Sequence, residues 1–117
     1  MTQEEKNLLL KDLCSRLPYG VKGIEANSIC LLNTSAHFKS LIKNIEYKIE
    51  NLGFKPYLYP LSSMSDEQYK EYCELEHSGD MEHLSIPLLD WCNRNHFDYR
   101  GLIPMGLALD ATNLNIY

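Results

Sequence analysis

Apolar residues recur at helical spacing from the start of the chain. Leu9, Leu10, Leu13, Cys14 and Leu17 share one face of a 3.6-residue period. Just before them, Thr2 and Glu5 have the spacing of a capping box, in which each side chain satisfies the other's backbone amide. Together these predict a helix over Gln3–Arg16. Leu17-Pro18-Tyr19-Gly20 stops it, because proline lacks an amide donor and glycine permits a reversal. Two short β-branched or apolar runs follow, at residues 21–25 and 28–33. Ala26-Asn27 joins them, which predicts a hairpin.

Residues 38–52 fit two periods at once. Phe38, Leu41, Ile42, Ile45, Ile49 and Leu52 make a helical face, with Ser35 as cap and Gly53 as stop. Yet Ile45, Tyr47 and Ile49 also alternate with Glu46, Lys48 and Glu50, as a half-covered strand would. Beyond them, Pro56 and Pro60 hold residues 57–59 extended. Ser65, with Gln68 as box partner, caps a helix over residues 66–76 that starts on Asp66 and Glu67, well placed at its positive end. Residues 77–82 are polar and read as a loop. Ser85 caps a further helix that carries Pro87 in its first turn, Leu88, Leu89 and Cys92 on its inner stripe, and Trp91 beside them. Residues 93–96 end it. Asp98 is placed to cap a short turn that Gly101 and Pro104 close, residues 106–110 read as a last strand, and residues 111–113 turn into 114–117.

Length and composition narrow the class. A chain of 117 residues with 44% hydrophobic and 23% charged residues is expected to be one domain, 1–117, with a modest core. The net charge of −5 and pI of about 5.3 argue against nucleic acid, since phosphate binding draws on a basic face. The only basic-leaning stretch, Lys39, Lys43, Lys48 and Lys55, is interrupted by Glu46 and Glu50. No apolar run approaches the length of a membrane span, and Met-Thr-Gln-Glu-Glu-Lys is no signal peptide, so a cytoplasmic location is expected. Cys14, Cys30, Cys73 and Cys92 form no Cys-x-x-Cys pair and are expected to be free thiols.

Three constellations carry candidate chemistry. His77, Asp80 and His83, helped by Glu76 or Glu82, could hold a metal, but their spacing across a glycine loop matches no zinc motif, and a solvated loop is the simpler reading. No metal or cofactor is therefore expected. Cys92 lies four residues before His96 and would share a helix face with it. With Asp98 as orienter, that would make a Cys-His hydrolase. The competing reading makes Cys92 a core residue and His96 a helix end. Tyr57, Tyr59, Trp91 and Tyr99 offer stacking faces, and Arg100 can grip a carboxylate or phosphate with two bonds. With His96 and Asp98 beside them, these seven are the candidate ligand-binding residues for a small anionic ligand such as a nucleotide, in a pocket closed at a homo-oligomer interface. The competing reading packs the aromatic residues onto the sheet and pairs Arg100 with a neighbouring acid.

The segments "LLLKDLCSRLPYGV", "KPYLYPLSSMSDEQ" and "NHFDYRGLIPMGLALDATNLNIY" resemble, in this order, a family of small uncharacterised proteins from Bacteroides-type gut bacteria and their phages. The resemblance covers about half of the chain. It implies strands across residues 21–51 and an accessory role of phage or prophage type in a bacterial host cell. It brings no catalytic residues. Tyr59 stands where relatives carry arginine, and Met105 where a charged residue is usual, which weakens an anion site at those positions. The expectation is thus an α+β domain: an N-terminal helix, a small antiparallel sheet (barrel-like or built of hairpins), two further helices and a short C-terminal strand. Its expected function is non-catalytic binding of a protein partner. The alternatives are a protein that sequesters a small nucleotide signal against host defence, and the small hydrolase.

Overall fold

Thr2 and Glu5 begin the first helix as their spacing predicts. In the computed structural model, which describes residues 1–25, 28–31, 38–77 and 86–117, the Glu5 amide donates to Thr2 Oγ1 at 3.1 Å and the Thr2 amide to Glu5 Oε1 at 2.9 Å. Helix α1 (Gln3–Arg16) follows. Its ridge of Leu9 and Leu13 is fully buried, with Leu10, Cys14 and Leu17 packed around it. A 3-10 turn over Leu17–Tyr19 and a left-handed Gly20 reverse the chain.

Strands β1 (Lys22–Glu25) and β2 (Ser28–Leu31) pair antiparallel as the expected hairpin; its link, 26–27, and its expected end at 32–33 lie outside the described residues. Residues 38–51 correct the strands that the resemblance implied: they form helix α2 (Phe38–Asn51). The reason is visible at Tyr47. A strand would bury it beside Ile45 and Ile49, but Tyr47 is 57% exposed while Ile45 and Ile49 face the core. Gly53, at φ 62, then lets the Phe54 amide return to the Lys48 carbonyl at 3.1 Å, closing the helix.

Strand β3 (Lys55–Pro60) is the hub of the sheet. Its first residues pair antiparallel with β1, where Gly23 lies opposite Pro56. Gly23 is glycine for want of room: a Cβ there would meet the Phe54 ring and the Lys55 carbonyl oxygen, each at 2.5 Å. After a 3-10 turn over Leu61–Ser63, Ser65 and Gln68 form the second expected capping box and open α3 (Asp66–His77). Of the loop expected over 77–82, residue 77 instead ends α3, and residues 78–82 with the Ser85 cap lie outside the described residues. Helix α4 (Ile86–Arg94) carries Pro87 in its first turn, where a missing donor costs little.

The remaining strands are two residues each. β4 (Phe97–Asp98) and β5 (Leu109–Asp110) both pair with β3, and both run parallel to it. The small sheet is therefore open and mixed, antiparallel through the hairpin and parallel where the C-terminal segments join. Most of the strand expected over 106–110 is instead a turn, in which the Leu107 amide returns to the Leu102 carbonyl at 3.0 Å. Two apolar clusters result. One lies between α1, α2 and the sheet and centres on Leu9, Leu13, Ile45, Phe54 and Leu58. The other, Leu88, Trp91, Cys92 and Phe97, joins α4 to the sheet's far end, with Tyr72 and Leu75 of α3 against it.

Candidate functional site

Between the two clusters lies a buried charge network. Asp12 and Arg16, one turn apart on α1, are both fully buried. Arg16 Nε donates to Asp12 Oδ2 at 2.8 Å, and Nη2 donates to Asp12 Oδ1 at 3.1 Å and to the Phe97 carbonyl at 2.6 Å. Arg100 Nε reaches the same Asp12 carboxylate at 3.3 Å. The Tyr99 ring lies against both guanidiniums, 5.2 Å from that of Arg16 and 4.8 Å from that of Arg100. Its hydroxyl donates to Asn93 Oδ1 at 2.9 Å. Burial raises the Tyr99 pKa, opposed by the two neighbouring cations.

The candidate ligand-binding residues divide among internal tasks. Tyr99 and Arg100 belong to this network. Asp98, also buried, accepts the amides of Leu102 and Ile103, each at 2.9 Å, so it caps the turn as its position suggested. Trp91 stacks on Phe97, with centroids 5.4 Å apart, and its indole N–H donates to Glu71 at 2.9 Å. Tyr57 is buried at 7% exposure, and its carbonyl accepts the Tyr117 hydroxyl at 2.8 Å. Tyr59 meets Phe97 and Tyr117 edge-on. A nucleotide pocket requires Tyr57, Tyr99 and Arg100 to line one cavity. In the structure Arg100 is engaged by Asp12 and Tyr99, and Tyr57 by the tail.

His96 sits at φ 63, stacked flat on Tyr117 at 3.5 Å, with a buried Nδ1 that has no hydrogen-bond partner among the described residues. Burial first, then Arg16 and Lys22, lowers its pKa to about 4. Cys92 is buried, and burial pushes its thiol up to about 11. At neutral pH both groups are uncharged. A Cys-His nucleophile needs a thiolate, which this setting opposes. All four cysteines are free. Among the described residues no three His, Cys, Asp or Glu side chains gather as metal ligands, and of the candidate set His77, Asp80 and His83 with Glu76 or Glu82, residues 80, 82 and 83 lie outside them. No described helix is long and apolar enough to cross a membrane.

Two surface features were not singled out from the sequence. On β2, Ile29 and Leu31 are 59% and 57% exposed. Between α3 and α4 lies a groove of about 470 Å³, lined by Glu71, Glu74, Leu75, Asp90, Trp91 and Arg94. The Asp12–Arg16 pair was missed as well. Its signal was an Asp and an Arg four apart beside the leucine ridge, a spacing that usually marks a solvated pair. No protein-family model matches the chain, and no curated protein or solved structure matches it.

Proposed function

We propose that the chain is a non-catalytic protein-binding module, of the phage or prophage accessory type that its motifs resemble, and that β2 is its contact strand. The observation that carries this reading is the exposure of Ile29 and Leu31 on a strand that ends the sheet order. Alternate residues of a strand share a face, so the two project together. Register puts them beside Ile24 and Lys22 of β1. Cys30 points the other way, and its thiol donates to Glu25, which Lys48 of α2 holds at 2.9 Å. The strand is thereby fixed from behind and apolar in front. An end strand of this kind accepts an extended segment of a partner, with main-chain bonds giving affinity and alternate side chains giving selectivity. Four residues make a small contact, well below the ~800 Å² per partner of a stable complex, so the binding is transient.

Selection of random displayed peptides on the immobilised chain tests this. Peptides with alternating apolar residues are expected to enrich on the native chain and to be lost on Ile29→Lys/Leu31→Lys, which alters only exposed positions. Equal recovery on both proteins, or no enrichment, would remove the reading.

A further inference from the structure

The groove between α3 and α4 has a definite chemical character. Leu75, Pro87 and Trp91 supply its apolar part, and among the described residues Glu71, Glu74 and Asp90 line it with a single cation, Arg94. The helices are joined beneath by Tyr72 and Trp91, whose rings lie 6.2 Å apart. Two of the three carboxylates are oriented by neutral donors: Glu71 by the Trp91 indole and Asp90 by the Tyr19 hydroxyl. Such bonds fix a carboxylate without cancelling its charge. Arg94 touches Asp90 only at 4.0 Å, between side chains that are each more than half exposed, a contact that neutralises little. The sequence of α3 adds to the same sign, with Asp66, Glu67 and Glu76 against one Lys70.

We propose that this groove docks a helical segment of a partner protein whose apolar stripe is flanked by lysine or arginine. The helical form follows from the shape, since the furrow between two packed helices receives the side-chain ridge of a third. The basic flanks follow from the rim, where cations would meet carboxylates already held in place. A second copy of this chain fits poorly, because its net charge of −5 repels an acidic groove. This site is separate from β2 and rests on different residues.

Trp91 is the only tryptophan and lines the groove, so its emission responds to an occupant there. The probe is a synthetic helical peptide of leucine and lysine in an amphipathic pattern, with a leucine–glutamate peptide of the same pattern as its counterpart. The lysine peptide is expected to change Trp91 emission saturably. Its affinity should fall roughly tenfold or more in about 1 M salt, where charges are screened beyond ~3 Å. A similar loss is expected for Glu74→Lys, an exposed position, and a smaller one for Glu71→Gln, which keeps an acceptor for the indole. Ile29→Lys/Leu31→Lys should bind as the native chain does. Equal binding of the glutamate peptide, full binding by folded Glu74→Lys, loss of binding in the β2 variant, or no saturable response would each overturn the proposal.

Discussion

Asp12 and Arg16 are the residues on which the interior depends most. A buried ion pair contributes little net stability over a well-packed apolar pair, but removing one partner strands the other without water. Arg16 is fully buried, and its Nη1 already lacks a partner among the described residues. Asp12→Ala is therefore expected to cost about 3–5 kcal/mol in urea denaturation. Asp12→Leu combined with Arg16→Met should recover part of that loss, since Arg100 still lacks Asp12 and the Phe97 carbonyl loses its donor. If the single and double variants were equally destabilised, shape rather than charge would be what the site requires. Little of this was legible in the sequence. The spacing of Asp12 and Arg16 is written there, but their burial is not, because it depends on Phe97 and Arg100 arriving from the far end of the chain. The stacking faces of the aromatic residues and the fork of Arg100 are legible in the sequence. In the folded chain they are held by one another and by neighbours such as Asp12, Glu71 and Asn93.

At the scale of elements, local chemistry was a good guide wherever it decided the outcome. Both capping boxes, the proline in the first turn of α4 and the hairpin follow from short-range rules, and the structure has them. Residues 38–51 show where such rules stop: two periods overlapped, and the exposed Tyr47 shows which one packs. β4 and β5 were not readable as strands, because two residues carry no period and only pairing with β3 defines them. The joint between β1 and β3 gives the sharpest test at this scale. Gly23→Ala would press a methyl group into the Phe54 ring and the Lys55 carbonyl. Overpacking of this kind costs about 1–3 kcal/mol, and the melting temperature should drop accordingly. An unchanged melt would mean that the β1–β3 joint yields easily.

For the whole molecule, acidification is the informative perturbation. The unfolded chain binds a proton at His96 near pH 6.5, whereas the folded chain refuses it until about 4. Between those values the unfolded state holds more protons, so stability rises with pH through this window. The contribution is complete above 6.5 and is lost as the pH falls toward 4. It amounts to at most about 3 kcal/mol, and less once the partial exposure of the ring is allowed for. Glu25 and Asp110 have lowered pKa values, Glu25 mainly through Lys48 and Asp110 through Thr112, and act only lower on the scale. His96→Asn suits the left-handed backbone and should flatten the loss measured by urea denaturation between pH 7 and 5. Identical slopes for the two proteins would place the pH sensitivity elsewhere.

The parallel pairing of β3 with β4 and β5 also sets an order of events during synthesis. The ribosome delivers β1, β2 and β3 first, yet two of the pairings on β3 must wait for residues near position 97 and then near 109. During that wait the nascent chain displays a central strand with vacant neighbours, the kind of template on which chains stick to one another. Pro56 and Pro60 limit what that template can accept. Each withholds an amide donor, so a stray strand finds a broken ladder, while the partners encoded later need only the donors between them.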